Sequence, residues 1–303
     1  AMPGFRRSAG LLVALCVAGC GTGGAPTPSS SDAPTPAVTG VRTSGELPSG
    51  AAPLPSTAAP NPPDAGLAAT VTALESSAGV RLGLAVTGIG RGSAPAVVEA
   101  GSLRTQVAWS TAKVPVTVAV LRTPSGTSEA TTSLMRRAIT ASDNAAADDL
   151  FALLGTPAVA AAATQTVIRE AGDQRTVVPS TRLREDYSIV GQTDWPAAAQ
   201  ARFLGDLACR PDAQPVLELM GQVEADQRWG LGRLPGARIK GGWGPTPSGG
   251  YQVRQMGLVT LASRPHAVAL LAEAPTFEQG TAALSRLAEA LPSAHVALAR
   301  SAC

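Results

Sequence analysis

Two lysines stand out in a chain that otherwise carries its positive charge on arginine. The sequence has 24 lysine and arginine residues, of which two, Lys113 and Lys240, are lysines. An arginine stays protonated in proteins, whereas a buried lysine can lose its proton or act as a compact point charge. The use of lysine at these two positions therefore indicates chemistry that arginine cannot perform.

The first lysine follows a serine at the spacing of about one helical turn. Ser110 and Lys113 lie where an apolar stretch becomes a predicted helix, so their side chains share one face near the helix N-terminus. A serine hydroxyl is inert until a base takes its proton, and a desolvated lysine near a second cation can be that base. The spacing predicts Ser110 as nucleophile, Lys113 as its general base and Lys240 as the second cation.

Two further motifs complete the candidate constellation. Ser142-Asp143-Asn144 stands just ahead of a predicted helix, and its hydroxyl and amide suit proton relay and hydrogen bonding to a substrate amide. Lys240 is followed by Gly241 and Gly242 on a predicted strand, where missing side chains let a substrate backbone lie against the sheet edge.

Each motif taken singly is unspecific. Ser-x-x-Lys arises often by chance, and Ser-Asp-Asn is an ordinary helix cap. Jointly they occur in the contexts of a helix start, an interhelix loop and a strand. The two lysines and Asn144, the sole asparagine after Asn61, all fall inside them. The joint pattern favours one active site over three coincidences.

The hydrophobic periodicity predicts the elements that must position these motifs. A helix over Ala65–Ser77 and strands over Val80–Gly88 and Ala94–Ala100 come first, and strands over Ala237–Gly242, Val253–Ala262 and Ala267–Ala274 with a helix over Phe277–Leu291 come last. Between them lie Ala- and Leu-rich helices over Thr111–Arg122, Ser128–Thr140, Asp143–Leu154, Pro157–Ala171 and Trp195–Cys209. Each end alone has too few strands for a stable sheet, so we expect one sheet built from both ends.

Proline and polar residues mark the start of two of the middle helices. Pro157 and Pro196 fit first-turn positions, with Thr156 and Asp194 as caps. The predicted domain spans residues 64–303, with an α/β part at 64–109 and 225–303 and a helical part at 110–224.

With these motifs in this order, the chain resembles the class A β-lactamase and penicillin-binding-protein superfamily over about residues 64 to 303. The resemblance implies an α/β domain with an antiparallel sheet and an all-α domain, with the site between them. It implies that Ser110 is acylated, Lys113 is the base and Ser142 relays the proton to the leaving nitrogen. Substrate binding would fall to Asn144, Lys240, the strand at Gly242, and the backbone N–H groups of Ser110 and Trp243 as an oxyanion hole.

The chain departs from the family pattern in three places. Gly241 replaces the usual Ser or Thr of the third motif, so a hydroxyl for the substrate carboxylate is missing. The stretch between Ser110 and Ser142 is short, which implies a more open cleft. The Glu-x-x-x-Asn context of the deacylating loop is also absent.

The missing loop motif leaves the base for deacylation open. Thr181-Arg182-Leu183 resembles the start of that loop, and Glu185 and Asp186 are either replacements for its glutamate or solvated loop charges. Trp109 and Trp243 are expected either to line the cleft or to pack in the core.

Two functions are expected from these observations. The first is a serine acyl-enzyme that acts on β-lactams or D-Ala-D-Ala-like peptidoglycan ends and deacylates slowly, because a positioned water-activating base is missing. The second is a catalytically inert binding or scaffold lipoprotein of the cell envelope, which the glycine at 241 favours and the two retained lysines disfavour. A Ser-His-Asp hydrolase is excluded, since no Gly-x-Ser-x-Gly surrounds Ser110.

The N-terminus has the pattern of a targeting signal. Arg6 and Arg7 precede the apolar run Leu11–Val17, and small residues lead into Cys20, as at a bacterial lipobox. We expect a signal peptide at 1–20, a lipidated Cys20, a flexible Pro- and Ser-rich tether at 21–63 and a location on the extracytoplasmic face of the membrane. A simple secretory peptide with a chance cysteine is the alternative.

The remaining composition narrows the partners. Net charge is +2 and no basic run is interleaved with aromatic residues, which argues against nucleic acid. Cys209 and Cys303 are predicted to form a disulfide, with two free thiols as the alternative. The isolated His266 and His295 give no metal site, no cofactor is indicated, and a monomer is expected.

Overall fold

The computed structural model describes residues 65–91 and 96–293 together with Cys303. The predicted signal peptide, the lipidation site Cys20 and the tether lie outside these residues. No single helix in the described part of the chain is long and apolar enough to cross a membrane. One pair, Asn144–Leu153 with Pro157–Glu170, meets the length and composition together but is bent by 95°.

An antiparallel sheet joins the two ends of the chain. Its strands are β1 (Arg81–Gly88), β2 (Val97–Gly101), β5 (Arg238–Pro245), β6 (Tyr251–Leu261) and β7 (Arg264–Ala274). In the described residues their order is β2-β1-β7-β6-β5, which leaves β5 at one edge. β1 pairs with β7 along its whole length, from Arg81 opposite Glu273 to Gly88 opposite His266. The predicted architecture of a sheet built from both chain ends is therefore confirmed.

Helices fill the middle of the chain and flank the sheet. They are α1 (Ala65–Ala78), α2 (Lys113–Leu121), α3 (Glu129–Thr140), α4 (Asn144–Leu153), α5 (Pro157–Glu170), α6 (Ala197–Leu207), α7 (Gln214–Met220) and α8 (Phe277–Ala290). Thr156 caps α5 as predicted, because its side chain accepts from Val159 N. The short helix α7 was not predicted, since seven residues carry too little of the helical period.

Two short strands, also unpredicted, form a ribbon between the sheet and the helices. β3 (Thr105–Val107) pairs with β4 (Asp194–Pro196) in the antiparallel sense. The prediction that Asp194 caps the next helix is wrong, because Asp194 lies in β4 and its carboxylate accepts a 2.5 Å hydrogen bond from Thr105 Oγ1. Helix α6 begins after Pro196 instead, without a side-chain cap.

The sheet has a hydrophobic layer on each face. On one face Leu67 and Val71 of α1 and Leu284 and Leu287 of α8 pack against the strands. On the other, α6 contacts β1, β6 and β7, and beyond it the helices from α2 to α7 form a second core around Phe203. Helix α6 therefore ties the helical part to the sheet. The edge strand β5 is left beside the segment that carries Ser110.

Candidate active site

The Ser110 turn is pressed against the edge strand. Trp109–Ala112 forms a 3₁₀ turn that runs directly into α2, and Trp109 takes a left-handed φ of 48°. A Cβ atom at Gly242 would lie 2.8 Å from Ser110 N, so this approach requires a glycine at 242. Ser110 is partly exposed and its hydroxyl forms no hydrogen bond with another described residue. The hydroxyl is therefore open to the cleft.

Lys113 is a buried amine with its hydrogen-bond partners in the second motif. The residue is 3% exposed, and its Nζ donates to Ser142 O at 2.5 Å and to Asn144 Oδ1 at 2.8 Å. Burial lowers the pKa of Lys113 to about 8, against the opposing effect of the carboxylates of Asp143 and Asp148. A useful fraction of this amine is unprotonated near neutral pH, as a general base requires.

The Ser142 hydroxyl connects the two lysines. Its Oγ accepts from Lys240 Nζ at 2.8 Å and from Lys113 Nζ at 3.3 Å. Ser142 has a φ of 57°, a sparsely populated conformation for a residue with a side chain, and such strain concentrates at functional sites. Lys240 is completely buried and also donates to Gly241 O at 3.0 Å. Burial, and secondarily the charge of Lys113, hold the pKa of Lys240 well below its usual value.

Successive residues of β5 point to opposite faces of the sheet, and this alternation divides the third motif. Gly242 faces the Ser110 turn, whereas a Cβ at Gly241 would lie 2.9 Å from the ring of Trp229. Trp243 shares that second face, since its indole lies 6.2 Å from Trp229 and 5.2 Å from Phe277, measured between ring centroids. The indole of Trp243 therefore packs with α8 and does not line the cleft.

Trp109 is likewise a packing residue. It is 7% exposed and lies over β5, where a Cβ at Gly244 would be 2.3 Å from its ring. Its Nε1 donates to Gln252 Oε1 at 3.2 Å, and Tyr187 packs edge-on with ring centroids 5.2 Å apart. Trp109 thus fixes the approach of the Ser110 turn to the edge strand.

The loop that carries the predicted replacement carboxylates is held by arginines. Arg182 donates to the carbonyls of Glu185 and Tyr187, at 3.2 and 2.5 Å. Arg184 lies 4.3 Å above the Tyr187 ring and donates to Pro245 O at 3.1 Å. Both Glu185 and Asp186 are exposed, so the structure does not bring them to Lys113 as it brings Ser142 and Asn144.

Asp148 is the acidic residue that sequence reasoning missed. It lies on α4 four residues after Asn144, and its charge interacts with Lys113 and with Arg182. Partial desolvation raises the pKa of Asp148, against the opposing charges of these two cations. The sequence could have indicated Asp148, because it follows Asn144 of the Ser-Asp-Asn motif by one helical turn.

A buried arginine connected to the Ser110 turn was also missed. Arg254 on β6 is completely buried and donates to Gln106 O at 2.6 Å, Trp195 O at 3.1 Å and Gln200 Oε1 at 2.8 Å. Gln200 Nε2 in turn donates to Thr111 Oγ1 at 2.9 Å, next to Ser110. Burial lowers the pKa of Arg254 to about 9. The sequence could have indicated it, because an arginine inside an otherwise apolar strand does not fit the alternation of buried and exposed residues.

The other predicted residues lie away from this cluster. A disulfide joins Cys209, just after α6, to Cys303, with their Cα atoms 5.3 Å apart. His266 Nδ1 lies 2.9 Å from Arg264 O, and burial lowers the pKa of His266. His295 lies outside the described residues. Within the described part of the chain, no three His, Cys, Asp or Glu residues are grouped as a metal would require.

Comparison with known proteins identifies the fold. No protein-family model matches the sequence, and no curated protein matches it significantly. A β-lactamase from Chitinophaga pinensis shares 16% identity at a TM-score of 0.60, covering 75% of this chain and 98% of that one. A β-lactamase from Sphaerobacter thermophilus shares 19% identity at 0.56, covering 74% and 95%.

A third solved structure agrees with these two. A variant of the last common ancestor of the class A β-lactamases of Gram-negative bacteria is 22% identical with a TM-score of 0.54, and the match covers 75% of this chain and 96% of that one. The described domain accounts for nearly the whole length of each of these proteins. This chain therefore has the fold of the class A β-lactamases.

Proposed function

We propose that this protein is a lipid-anchored serine enzyme that forms an acyl intermediate with β-lactams or with D-Ala-D-Ala-like peptidoglycan peptides and releases it slowly. The observation that carries the proposal is the Ser142 hydroxyl, which accepts hydrogen bonds from two buried lysines, one of them Lys113, three residues after Ser110. Burying two amines that form no ion pair with a described carboxylate is unfavourable, so the arrangement is best explained by a need for proton transfer.

The geometry suggests how acylation proceeds. Ser110 Oγ attacks the substrate carbonyl carbon while its proton passes to the unprotonated amine of Lys113, one turn along the same helix face. The proton then crosses the Ser142 hydroxyl to the leaving nitrogen, and the carbonyl-carbon-to-nitrogen bond breaks. The N–H groups of Ser110 and Trp243 stabilise the oxyanion at the edge of β5.

Substrate recognition would differ from the family pattern at the third motif. Asn144 is exposed at the start of α4 and can hold a substrate amide. In its protonated form Lys240 supplies positive potential for a carboxylate, but the hydroxyl that usually assists it is missing at Gly241, and Trp229 closes that side. We therefore expect weaker selection for a substrate carboxylate than in β-lactamases with Ser or Thr at this position.

An inert envelope-binding lipoprotein of the same fold is the second candidate. It is favoured by the Trp229 ring against Gly241, which leaves no room for the expected hydroxyl, and by the exposure of Glu185 and Asp186. Such a protein would use the cleft or another surface to hold an envelope ligand without reacting. This second candidate does not explain why positions 113 and 240, both buried, carry lysine and not arginine or methionine.

The location is proposed from the N-terminal sequence. We infer that Cys20 is lipidated and that the 21–63 tether carries the domain on the extracytoplasmic face of a bacterial membrane as a monomer. Metabolic labelling with a fatty-acid analogue, compared between the parent chain and Cys20→Ala, tests the anchor. Label in the Cys20→Ala chain would contradict it.

Intact-protein mass spectrometry tests the acylation. The full chain is incubated with a reporter penicillin and followed for hours, beside Ser110→Ala. An adduct that requires Ser110 and persists is the expected result. A transient adduct with destruction of the antibiotic would make the protein an efficient β-lactamase, and the absence of any adduct would favour the inert binding protein.

A further inference from the structure

An ester on Ser110 is released only if a base removes a proton from water, and the loop does not supply that base. Glu185 and Asp186 are exposed, and neither is among the carboxylates whose charges act on Lys113, which are those of Asp143 and Asp148. Arg182 is bound to the carbonyl of Glu185, not to its carboxylate. Arg184, three residues after Thr181, is a cation that contacts Tyr187 and Pro245 and cannot act as a carboxylate base. A carboxylate on another element, close to Lys113, is therefore the better candidate for deacylation.

Helix α4 places one carboxylate on the side of the general base. Asn144 and Asp148 are one turn apart on the same face of α4, and Asn144 Oδ1 accepts the 2.8 Å hydrogen bond from Lys113. Helix α4 packs against α2, which carries Lys113. The Asp148 carboxylate therefore lies along the helix face that the Lys113 amine contacts.

The surroundings of Asp148 suit a base and give it no structural task. Its carboxylate caps no helix, and within residues 65–91 and 96–293 it forms no hydrogen bond or ion pair. Its residue is exposed, so water reaches it. Lys113 and Arg182 act on it electrostatically from α2 and from the loop, and Asp149 is the neighbouring like charge. Asp148 thus interacts electrostatically both with the general base and with Arg182 of the loop.

We propose that Asp148 activates the water that hydrolyses the Ser110 ester; this inference rests on the proposed function. The water oxygen attacks the ester carbonyl carbon as its proton moves to the Asp148 carboxylate. The bond between that carbon and Ser110 Oγ then breaks, and the proton on Asp148 passes through solvent water and Lys113 to Ser110 Oγ. The products are a free carboxylic acid and the resting serine, so no other reactant is needed.

The experiment separates acylation from release. The full chain is labelled with a fluorescent penicillin, excess reagent is removed by rapid gel filtration, and loss of the adduct is followed by intact mass. The variant Asp148→Asn is compared with Asp149→Asn, a matched change one residue along the same helix, and with Glu185→Gln on the loop.

The expected result is an adduct lifetime about tenfold longer or more in Asp148→Asn, with the other two variants within about twofold of the parent. Acylation of Asp148→Asn should be at least as fast as in the parent, because loss of a negative charge favours the unprotonated amine of Lys113.

Three outcomes would overturn the inference. These are an unchanged lifetime in Asp148→Asn, an equal lengthening in Glu185→Gln, and a parallel loss of acylation that marks Asp148 as a support for Lys113. An unlabelled parent chain would instead refute the proposed function, and the inference with it.

Discussion

The buried amine of Lys113 makes acylation depend on pH in a defined way. The proposed acylation requires the unprotonated amine, and burial sets its pKa at about 8. About half of the molecules are then active at pH 8, roughly one in ten at pH 7 and roughly one in a hundred at pH 6. The rate should rise about fiftyfold from pH 6 to pH 8 and less than about twofold above pH 8.

The substitution Asp143→Asn shifts this profile without removing the helix cap. Asp143 accepts from Ala146 N at 3.0 Å, and asparagine caps a helix equally well. Its carboxylate raises the pKa of Lys113, so loss of the charge lowers that pKa and moves the profile toward acid. An interaction of about 1 kcal/mol gives about a fivefold faster reaction at pH 6.5 and no change at pH 9.

Stopped-flow labelling with a fluorescent penicillin between pH 5.5 and pH 9.5 measures both effects. Ser110→Ala supplies the background of non-covalent binding. A rate that is flat from pH 6 to pH 8 would show that Lys113 is not the base. A midpoint that moves toward alkali in Asp143→Asn would show that the sign of the electrostatic argument is wrong.

Three substitutions test the packing around the site. Gly244→Ala places a Cβ 2.3 Å from the Trp109 ring, so the nucleophile turn must shift and labelling should slow by about tenfold; an unchanged rate would contradict this role of the glycine. Gly241→Thr should lower the free energy of unfolding in urea by about 1 to 3 kcal/mol, and adding Trp229→Ala should recover part of the loss if the clash is the cause. Arg254→Met leaves several buried acceptors unpaired and should destabilise by about 3 kcal/mol or more in the same titration, whereas a midpoint equal to the parent's would show that the buried cation is not needed.

Much of the fold was readable because its elements are long and strongly patterned. Strand β1 is buried at every residue after Arg81, and the helix over Ala65–Ser77 was found at Ala65–Ala78. The short ribbon of β3 and β4 escaped prediction, because three residues cannot show a period. Asp194 reads locally as a helix cap, but pairing with Thr105 decides its role.

The residues of the candidate site could be predicted from the sequence, but their contacts could not. Ser110, Lys113, Ser142 and Lys240 could be named from the sequence because lysine is so rare here. Their hydrogen-bond network could not, because a 98-residue separation between Ser142 and Lys240 carries no local signal. The reason for a glycine at 241 could not be predicted either, because it is the Trp229 ring beside it in the fold and not any neighbour in the sequence.

The pairing of β1 with β7 determines when the sheet can form during folding. Arg81 and Glu273 meet across 192 residues of sequence, so the sheet has a high contact order and its closure is slow. Until β5 to β7 are available, β1 and β2 form a bare hairpin, and the helical middle has no sheet to cover. Lys240 and the glycine edge arrive in that same late segment. If Ser110 reacts as proposed, a growing or truncated chain can therefore hold Ser110 and Lys113 in place and still be unreactive, because Lys240 and the glycine edge come only with the last strands.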